Sequence, residues 1–192
     1  MGHEIHLVEG FILDSNPYGE SGRIIKILTK EFGVVSVVAT GVRELKSKMR
    51  GSLDILQLVN FEFVEGREVN RLTGIHEIEK FSNIFTIVKR RAVTNIVNFI
   101  LRTVLGEVVN EKLWDSFLEG LRLLNQGGVA QTSEEIQKLE IIWLIKILVA
   151  LGYWETGKID EFTPENFVYL ENEENKKEII ELINKSIKST HL

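Results

Sequence analysis

The chain has 192 residues, of which 44% are apolar and 27% are charged, so it can bury a hydrophobic core and is not intrinsically disordered. No apolar run is long enough to cross a bilayer, no secretion signal opens the chain, and no cysteine is present for disulfides or thiolate metal sites, which together predict a cytoplasmic protein. The formal net charge of −5 excludes a protein coated in positive charge, so binding to nucleic acid would require a local concentration of cations.

Turn-forming residues divide the first eighty residues into five predicted strands. The first strand is expected at 6–13, followed by a turn at 14–20 that contains Asn16-Pro17 and Gly19. Composition and alternation place the other strands at 23–29, 34–39, 55–64 and 69–75. Three apolar residues of the fourth strand share one face and are expected in the core: Val59, Phe61 and Phe63. Five short strands with glycine-containing turns predict a small β-barrel, closed or partly closed.

Beyond residue 81 the apolar period changes from two to nearly four, which predicts helices. They are expected at 83–105, at 111–124, at 132–151 with a capping box formed by Thr132 and Glu135, and after the cap residue Asn172. Residues 162–170 are expected to be irregular or to form a short strand around Pro164. Four cations are expected on the wetter side of the first helix: Lys89, Arg90, Arg91 and Arg102. The fold class predicted is α+β and multi-domain, with a five-stranded β-barrel at 1–80 and an all-α helical domain at 81–192.

Charge is distributed unevenly along the chain. Residues 23–50 contain seven cations and two anions, whereas residues 155–182 contain nine anions and three cations. The densest basic segment, 43–50, joins the end of one predicted strand to the beginning of the next. It is predicted either to present positive charge to a polyanion or to be an ordinary solvated loop.

Several motifs resemble those of one bacterial family when they are taken in order. The segments Asn16-Pro17-Tyr18-Gly19-Glu20, Val34 to Ala39, and Gly41-Val42-Arg43-Glu44-Leu45-Lys46-Ser47-Lys48-Met49-Arg50-Gly51 resemble the recombination mediator RecO family. Gly66-Arg67-Glu68-Val69-Asn70-Arg71-Leu72-Thr73 is similar to a later segment of that family, and residues 139–153 are similar to its last long helix and the end of that helix. Each motif alone has low specificity, whereas the series is specific.

The resemblance implies a fold and a function. It implies that the barrel is an OB-fold and that the protein repairs DNA: it would bind single- and double-stranded DNA, anneal complementary strands, and load the RecA recombinase. The partners implied are RecR and, in many species, single-stranded-DNA-binding protein and RecF, so a nucleoid-associated location in the cytoplasm is expected. Many members carry a cysteine zinc site before a segment like Phe162-Thr163-Pro164, and this chain has no cysteine. We therefore expect a short form of the family without zinc and without any cofactor.

The candidate DNA-binding residues follow from the basic segment and the barrel. They are Arg43, Lys46, Lys48 and Arg50, together with Arg23, Lys26 and Tyr18. Cations on the wet face of a strand are common, so Arg23 and Lys26 are also explained as solvated residues. Tyr18 is able to stack on a base, although a tyrosine after proline in a turn more often packs back on its own barrel.

No motif of an enzyme is present in the sequence. It contains no Walker loop, no G-x-S-x-G, no H-E-x-x-H and no G-x-G-x-x-G, so we expect no catalytic residue and no metal site. Two other functions stay open: a protein-interaction adaptor that has the same fold but does not bind DNA, and an RNA-binding OB-fold factor. The negative net charge and the missing zinc ligands favour the adaptor to some extent.

Overall fold

A computed structural model describes residues 4–42, 53–67, 69–84, 86–104, 106, 108–126, 130–155 and 159–189. The chain divides into two compact units, each described separately below. One unit contains Met1–Phe81 and Val104–Val109, and the other contains Ser82–Thr103 and Asn110–Leu192. The short segment Val104–Val109 therefore groups with the first unit, a long-range association that sequence periodicity does not indicate.

The first unit is a five-stranded closed barrel. Its strands are β1 (Ile5–Tyr18), β2 (Gly22–Thr29), β3 (Gly33–Ala39), β4 (Gln57–Val64) and β5 (Asn70–Lys80). They are hydrogen-bonded in the order β1-β2-β3-β5-β4, and the long β1 closes the barrel by pairing with both β2 and β4. All pairings are antiparallel except that of β3 with β5. The predicted α+β class is confirmed, with a five-stranded sheet first and helices after it.

Alternate residues of each strand fill the barrel. Val59, Phe61 and Phe63 are buried, as their alternation predicted, and they pack with Ile25, Ile27, Val35 and Val37 from the neighbouring strands. The rings of Phe61 and Phe63 stack with their centroids 5.6 Å apart. Burying each of these large side chains contributes about 1.5–3 kcal/mol to the free energy of unfolding, so this core fixes the positions of the strands.

The first strand is longer than its sequence predicted. Residues 14–18 continue β1 and pair with β2 as far as Tyr18 and Gly22, so the predicted turn at 14–20 is wrong and the actual turn occupies 19–21. This part of β1 pairs with β2, while its pairing with β4 ends at Phe11. Among the described residues, the other edge of 14–18 therefore has no strand partner. Pro17, which has no N–H to donate, is tolerated in a strand at such an edge.

A hairpin joins β2 to β3, the strands predicted at 23–29 and 34–39. Gly33 begins β3 with φ of 71°, a conformation that favours glycine, and its carbonyl accepts a hydrogen bond from the Thr29 hydroxyl at 2.9 Å. A Cβ added to Gly33 would also lie 2.3 Å from the backbone oxygen of Val108. The glycine therefore serves both the turn and the close approach of the 104–109 segment.

The second unit is helical. Its helices are α1 (Ile87–Thr103), α2 (Glu111–Asn125), α3 (Ser133–Ala150), α4 (Pro164–Tyr169) and α5 (Glu173–Ser189). The capping box is confirmed, because the Thr132 side chain accepts from the Glu135 amide while the Glu135 carboxylate accepts from the Thr132 amide. Asn172 caps α5 as predicted. Residues 164–169 form α4, with Thr163 as its N-cap, so the prediction of irregular structure or a strand there is wrong.

Lys89 is not on the wet side of α1 as its charge predicted. It is 8% exposed, and its Nζ donates to the backbone oxygen of Leu124 at 2.8 Å. Leu124 lies in the last turn of α2, where unpaired carbonyls and the helix dipole favour a cation. Arg90, Arg91 and Arg102 are exposed as predicted.

Candidate nucleic-acid interface

The basic segment begins and ends beside buried barrel residues. Arg43, Lys46, Lys48 and Arg50 lie outside the described residues. The residues that flank 43–52 are Val42 and Leu53, which are 1% and 3% exposed and belong to the same core cluster as Val37 and Phe61. The four cations and the single anion of 43–52 therefore occupy a connection whose two ends are fixed in one rigid core.

Arg23 lies at the end of the barrel where this connection begins. It is the second residue of β2, and in register it faces Ala39 at the end of β3. Its Nη2 donates to the backbone oxygen of Ser15 at 3.1 Å, and its Nε is buried without a hydrogen-bond partner among the described residues. The guanidinium thus links β2 to β1, which leaves only part of it available for a phosphate.

Lys26 lies on the opposite face of β2 from Arg23. It alternates with the buried Ile25 and Ile27, and its neighbours in register are Asp14 on β1 and Ser36 on β3. Asp14 is held in place because its carboxylate accepts from the Ser15 amide at 2.9 Å and from the Asn16 side chain at 2.8 Å. The neighbouring carboxylate reduces the positive potential that Lys26 would offer to a phosphate, so the structure does not bring Arg23 and Lys26 together as one patch.

Tyr18 is the last residue of β1. Its side chain is 48% exposed, and it faces Gly22 across the turn. A half-exposed ring at the end of a strand offers one face for a base, which fits the stacking role considered from the sequence.

Arg71 is a further cation at this end of the barrel. It is exposed on β5, and the parallel pairing of β3 with β5 places it in register with Val38, one residue before Ala39. This position is not visible in the sequence, because the pairing of β3 with β5 connects segments far apart in the chain. Its position beside the end of β3 adds Arg71 to the candidate cations.

The rest of the barrel is acidic. The described residues up to Phe81 contain six lysines and arginines but ten aspartates and glutamates. Several of the acids line the outer face of β4 and β5, among them Glu62, Glu77 and Glu79. Such a surface repels a polyanion, so any phosphate contact of the barrel depends on 43–52 and on the few cations near its ends.

The described residues contain neither a candidate metal site nor a candidate membrane-spanning helix. Within the ranges given above, no group of three or more His, Asp or Glu side chains could hold a metal ion. Among the same residues, no helix combines the length and the apolar character that a membrane span requires.

The barrel matches the N-terminal domain of a known family. The family model described as "Recombination protein O N terminal" matches residues 3–81, which is the whole of the five-stranded barrel. The barrel of this chain is thus similar to the N-terminal domain of RecO proteins. The resemblance carried by the motifs is thereby confirmed.

The chain is also similar to curated RecO proteins over stretches longer than the barrel. It is 29% identical to "DNA repair protein RecO" of Gloeothece citriformis over 124 residues, which is 64% of this chain and 44% of that protein. It is 25% identical to the protein of the same name from Rubrobacter xylanophilus over 144 residues, 75% of this chain and 56% of that protein. With the protein of the same name from Listeria welshimeri it shares 28% identity over 149 residues, 77% of this chain and 56% of that protein. The chain thus spans about half the length of the curated relatives it matches.

Proposed function

We propose that this chain is a DNA repair and recombination mediator of the RecO type. It binds single- and double-stranded DNA through the phosphate backbone, anneals complementary strands and helps to load the RecA recombinase. The observation that carries the proposal is the basic connection 43–52, four cations against one anion, between Val42 and Leu53 in the core of a RecO N-terminal barrel.

Annealing of this kind requires charge neutralisation and no bond-breaking chemistry. Two complementary strands repel each other through their phosphates, and cations that contact the backbone reduce this repulsion while the bases stay free to pair. Extensive stacking of bases on aromatic side chains would oppose pairing. Tyr18 is therefore proposed as a single, weak stacking contact beside the phosphate contacts of Arg43, Lys46, Lys48 and Arg50.

The partners proposed for this function are those of the family. RecR is the first of them, and single-stranded-DNA-binding protein, RecF and RecA are the others. The protein is proposed to act in the cytoplasm at the nucleoid, as a non-enzymatic factor without a cofactor. The support for these statements is the match of the barrel to the RecO N-terminal family model and the similarity to curated relatives named for DNA repair.

One rival function has a specific observation in its favour. Apart from 43–52 the described barrel is acidic, which suits a protein-interaction adaptor better than a DNA-binding protein. The adaptor would bind its protein partners without any affinity for nucleic acid, so the two functions differ in a direct test.

The proposed annealing is tested with two complementary oligonucleotides, one carrying a fluorophore and the other a quencher. We expect the chain to accelerate quenching at low salt, and a soluble polyanion such as heparin to abolish the acceleration by competing for the cations. An RNA pair of the same sequence serves as a control for an RNA-binding factor. If the chain leaves the DNA annealing rate unchanged, the proposed function is wrong. A larger acceleration of RNA annealing than of DNA annealing would favour the RNA-binding rival.

A further inference from the structure

Helix α3 carries two lysines whose side chains are almost completely buried. Lys138 and Lys146 are eight residues apart, about two turns or 12 Å along the helix, and their side chains are 7% and 11% exposed. A buried ammonium is unfavourable unless it is paired. Both lysines are paired, and their partners include one glutamate on each side of α4.

Lys146 forms an ion pair with Glu161, which precedes α4. Its Nζ lies 2.7 Å from Glu161 Oε2 and 3.0 Å from Glu119 Oε2 on α2, and 5.1 Å above the ring of Phe162. Burial lowers the pKa of this lysine, but the two carboxylates outweigh the burial and hold the pKa above its ordinary value. The ammonium is therefore charged, and it joins residues 161–162 to α3 and α2.

Lys138 forms an ion pair with Glu171, which follows α4. Its Nζ lies 3.5 Å from Glu171 Oε1 and 3.0 Å from Glu134 Oε1 one turn earlier on α3. Burial again lowers the pKa of the lysine, and the carboxylates of Glu134 and Glu171 again raise it above the ordinary value. Because Lys138 is early in α3 and Glu171 is late in the segment, residues 161–171 run antiparallel to α3.

Residues 161–171 also have internal hydrogen bonds that hold them together. The buried Asn166 donates from Nδ2 to the backbone oxygen of Glu161 at 2.8 Å, and its amide donates to the Thr163 cap at 3.4 Å. The segment places Leu170, with Phe162 and Phe167 beside it, in an apolar cluster formed mainly by α3 and α5. The residues of α3 in this cluster include Ile141, Ile142, Ile145 and Leu148.

We propose that residues 161–171 are a strap that covers the apolar face of α3 and opens as one unit when its two terminal ion pairs are weakened. A helix of six residues has little stability of its own, so α4 depends on what holds its ends. The acidic partners are both exposed, Glu161 by 65% and Glu171 by 63%, which leaves the pairs accessible to salt although the lysines are buried. Opening removes Phe162, Phe167 and Leu170 from the apolar cluster to which the buried Ile142 and Ile145 belong.

The strap is tested by amide hydrogen exchange on the full chain. In Glu161→Gln/Glu171→Gln we expect the rate of amide exchange in residues 162–170 to rise about five-fold, with the rates in the other helices unchanged. Partly exposed ion pairs of this kind contribute modestly to stability. Amide exchange measures such local opening directly. The matched control is Glu178→Gln/Glu181→Gln, which removes two exposed carboxylates of the neighbouring α5 without changing a described ion pair, and we expect residues 162–170 of this variant to exchange as they do in the wild type.

A salt titration of the wild type gives an independent readout that needs no variant. We expect high sodium chloride to raise exchange in residues 162–170 of the wild type and to have little further effect in the double variant. A rise that is equal in the control variant, or spread evenly over the whole helical unit, would overturn the proposal, as would exchange that salt does not change.

Discussion

Replacing Gly120 by alanine is expected to destabilise the helical unit by about 2 kcal/mol, although helix propensity alone predicts a stabilisation of about 1 kcal/mol. Gly120 is buried in the middle of α2, where alanine is normally the better helix former. The expected change in the free energy of unfolding therefore has the opposite sign to the change that helix propensity predicts, so a measurement distinguishes the two.

The reason is the close approach of Trp143 from α3. A Cβ at position 120 would lie 2.4–2.5 Å from three atoms of the indole. The indole is fully buried and lies against Phe117, with ring centroids 5.7 Å apart, so a shift of the ring would disturb the side chains packed around it. Overpacking of a rigid buried ring costs more than the propensity of alanine contributes.

Chemical denaturation of a double-mutant cycle measures this contact. We expect Gly120→Ala to lower the free energy of unfolding in the wild-type background but to raise it slightly in the Trp143→Leu background, where the clash is removed. Gly74→Ala is the matched control, because its Cβ would meet the flexible end of the Glu62 side chain at 3.1 Å, and we expect it to have a small effect. A Gly120→Ala variant as stable as the wild type would contradict the packing of α2 against α3 described above.

Reversing three charges of the basic connection is expected to produce the largest loss of function. In Lys46→Glu/Lys48→Glu/Arg50→Glu we expect the affinity for a single-stranded oligonucleotide at low salt to fall about 100-fold, because phosphate contacts are lost and like charges replace them. Arg23 and Lys26 stay in this variant, but a carbonyl oxygen and a neighbouring carboxylate limit what they contribute.

The control for this variant carries the same change in net charge elsewhere. Lys112→Glu/Lys177→Glu/Lys185→Glu changes three exposed lysines of the helical unit, and we expect it to retain affinity within a few-fold of the wild type. Circular dichroism of both variants checks that the fold is retained. Equal losses in the two variants would show that total charge, and not the 43–52 connection, governs binding.

Much of the fold could be predicted from the sequence because its signals are local. Alternation placed Val59, Phe61 and Phe63 in the core, and the spacing of Thr132 and Glu135 located the start of α3, since both depend on residues close together in the chain. The turn at 14–20 was wrong because Pro17 is tolerated at a strand edge that only the barrel topology creates. The prediction for residues 164–169 was also wrong. Pro164 suggested a break, but proline is common at the first position of a helix, and Thr163 before it is the N-cap of α4.

The candidate site could be predicted only in part. The density of cations in 43–50 is visible in the sequence, whereas the roles of single cations depend on tertiary contacts. Lys89 has the same charge as Arg90 but is buried as a cap for α2, and Arg71 reaches the end of β3 through a parallel pairing. Charge alone does not distinguish a structural cation from one that is available for a phosphate.

The central claim is that the chain binds DNA through a few phosphate contacts concentrated in one basic connection. Fluorescence anisotropy of a labelled single-stranded oligonucleotide, measured with the wild type across a series of salt concentrations, tests it most directly. Four phosphate contacts predict that the logarithm of the affinity falls against the logarithm of the salt concentration with a slope of about −3. Absence of binding at low salt, or a slope near zero, would contradict the claim.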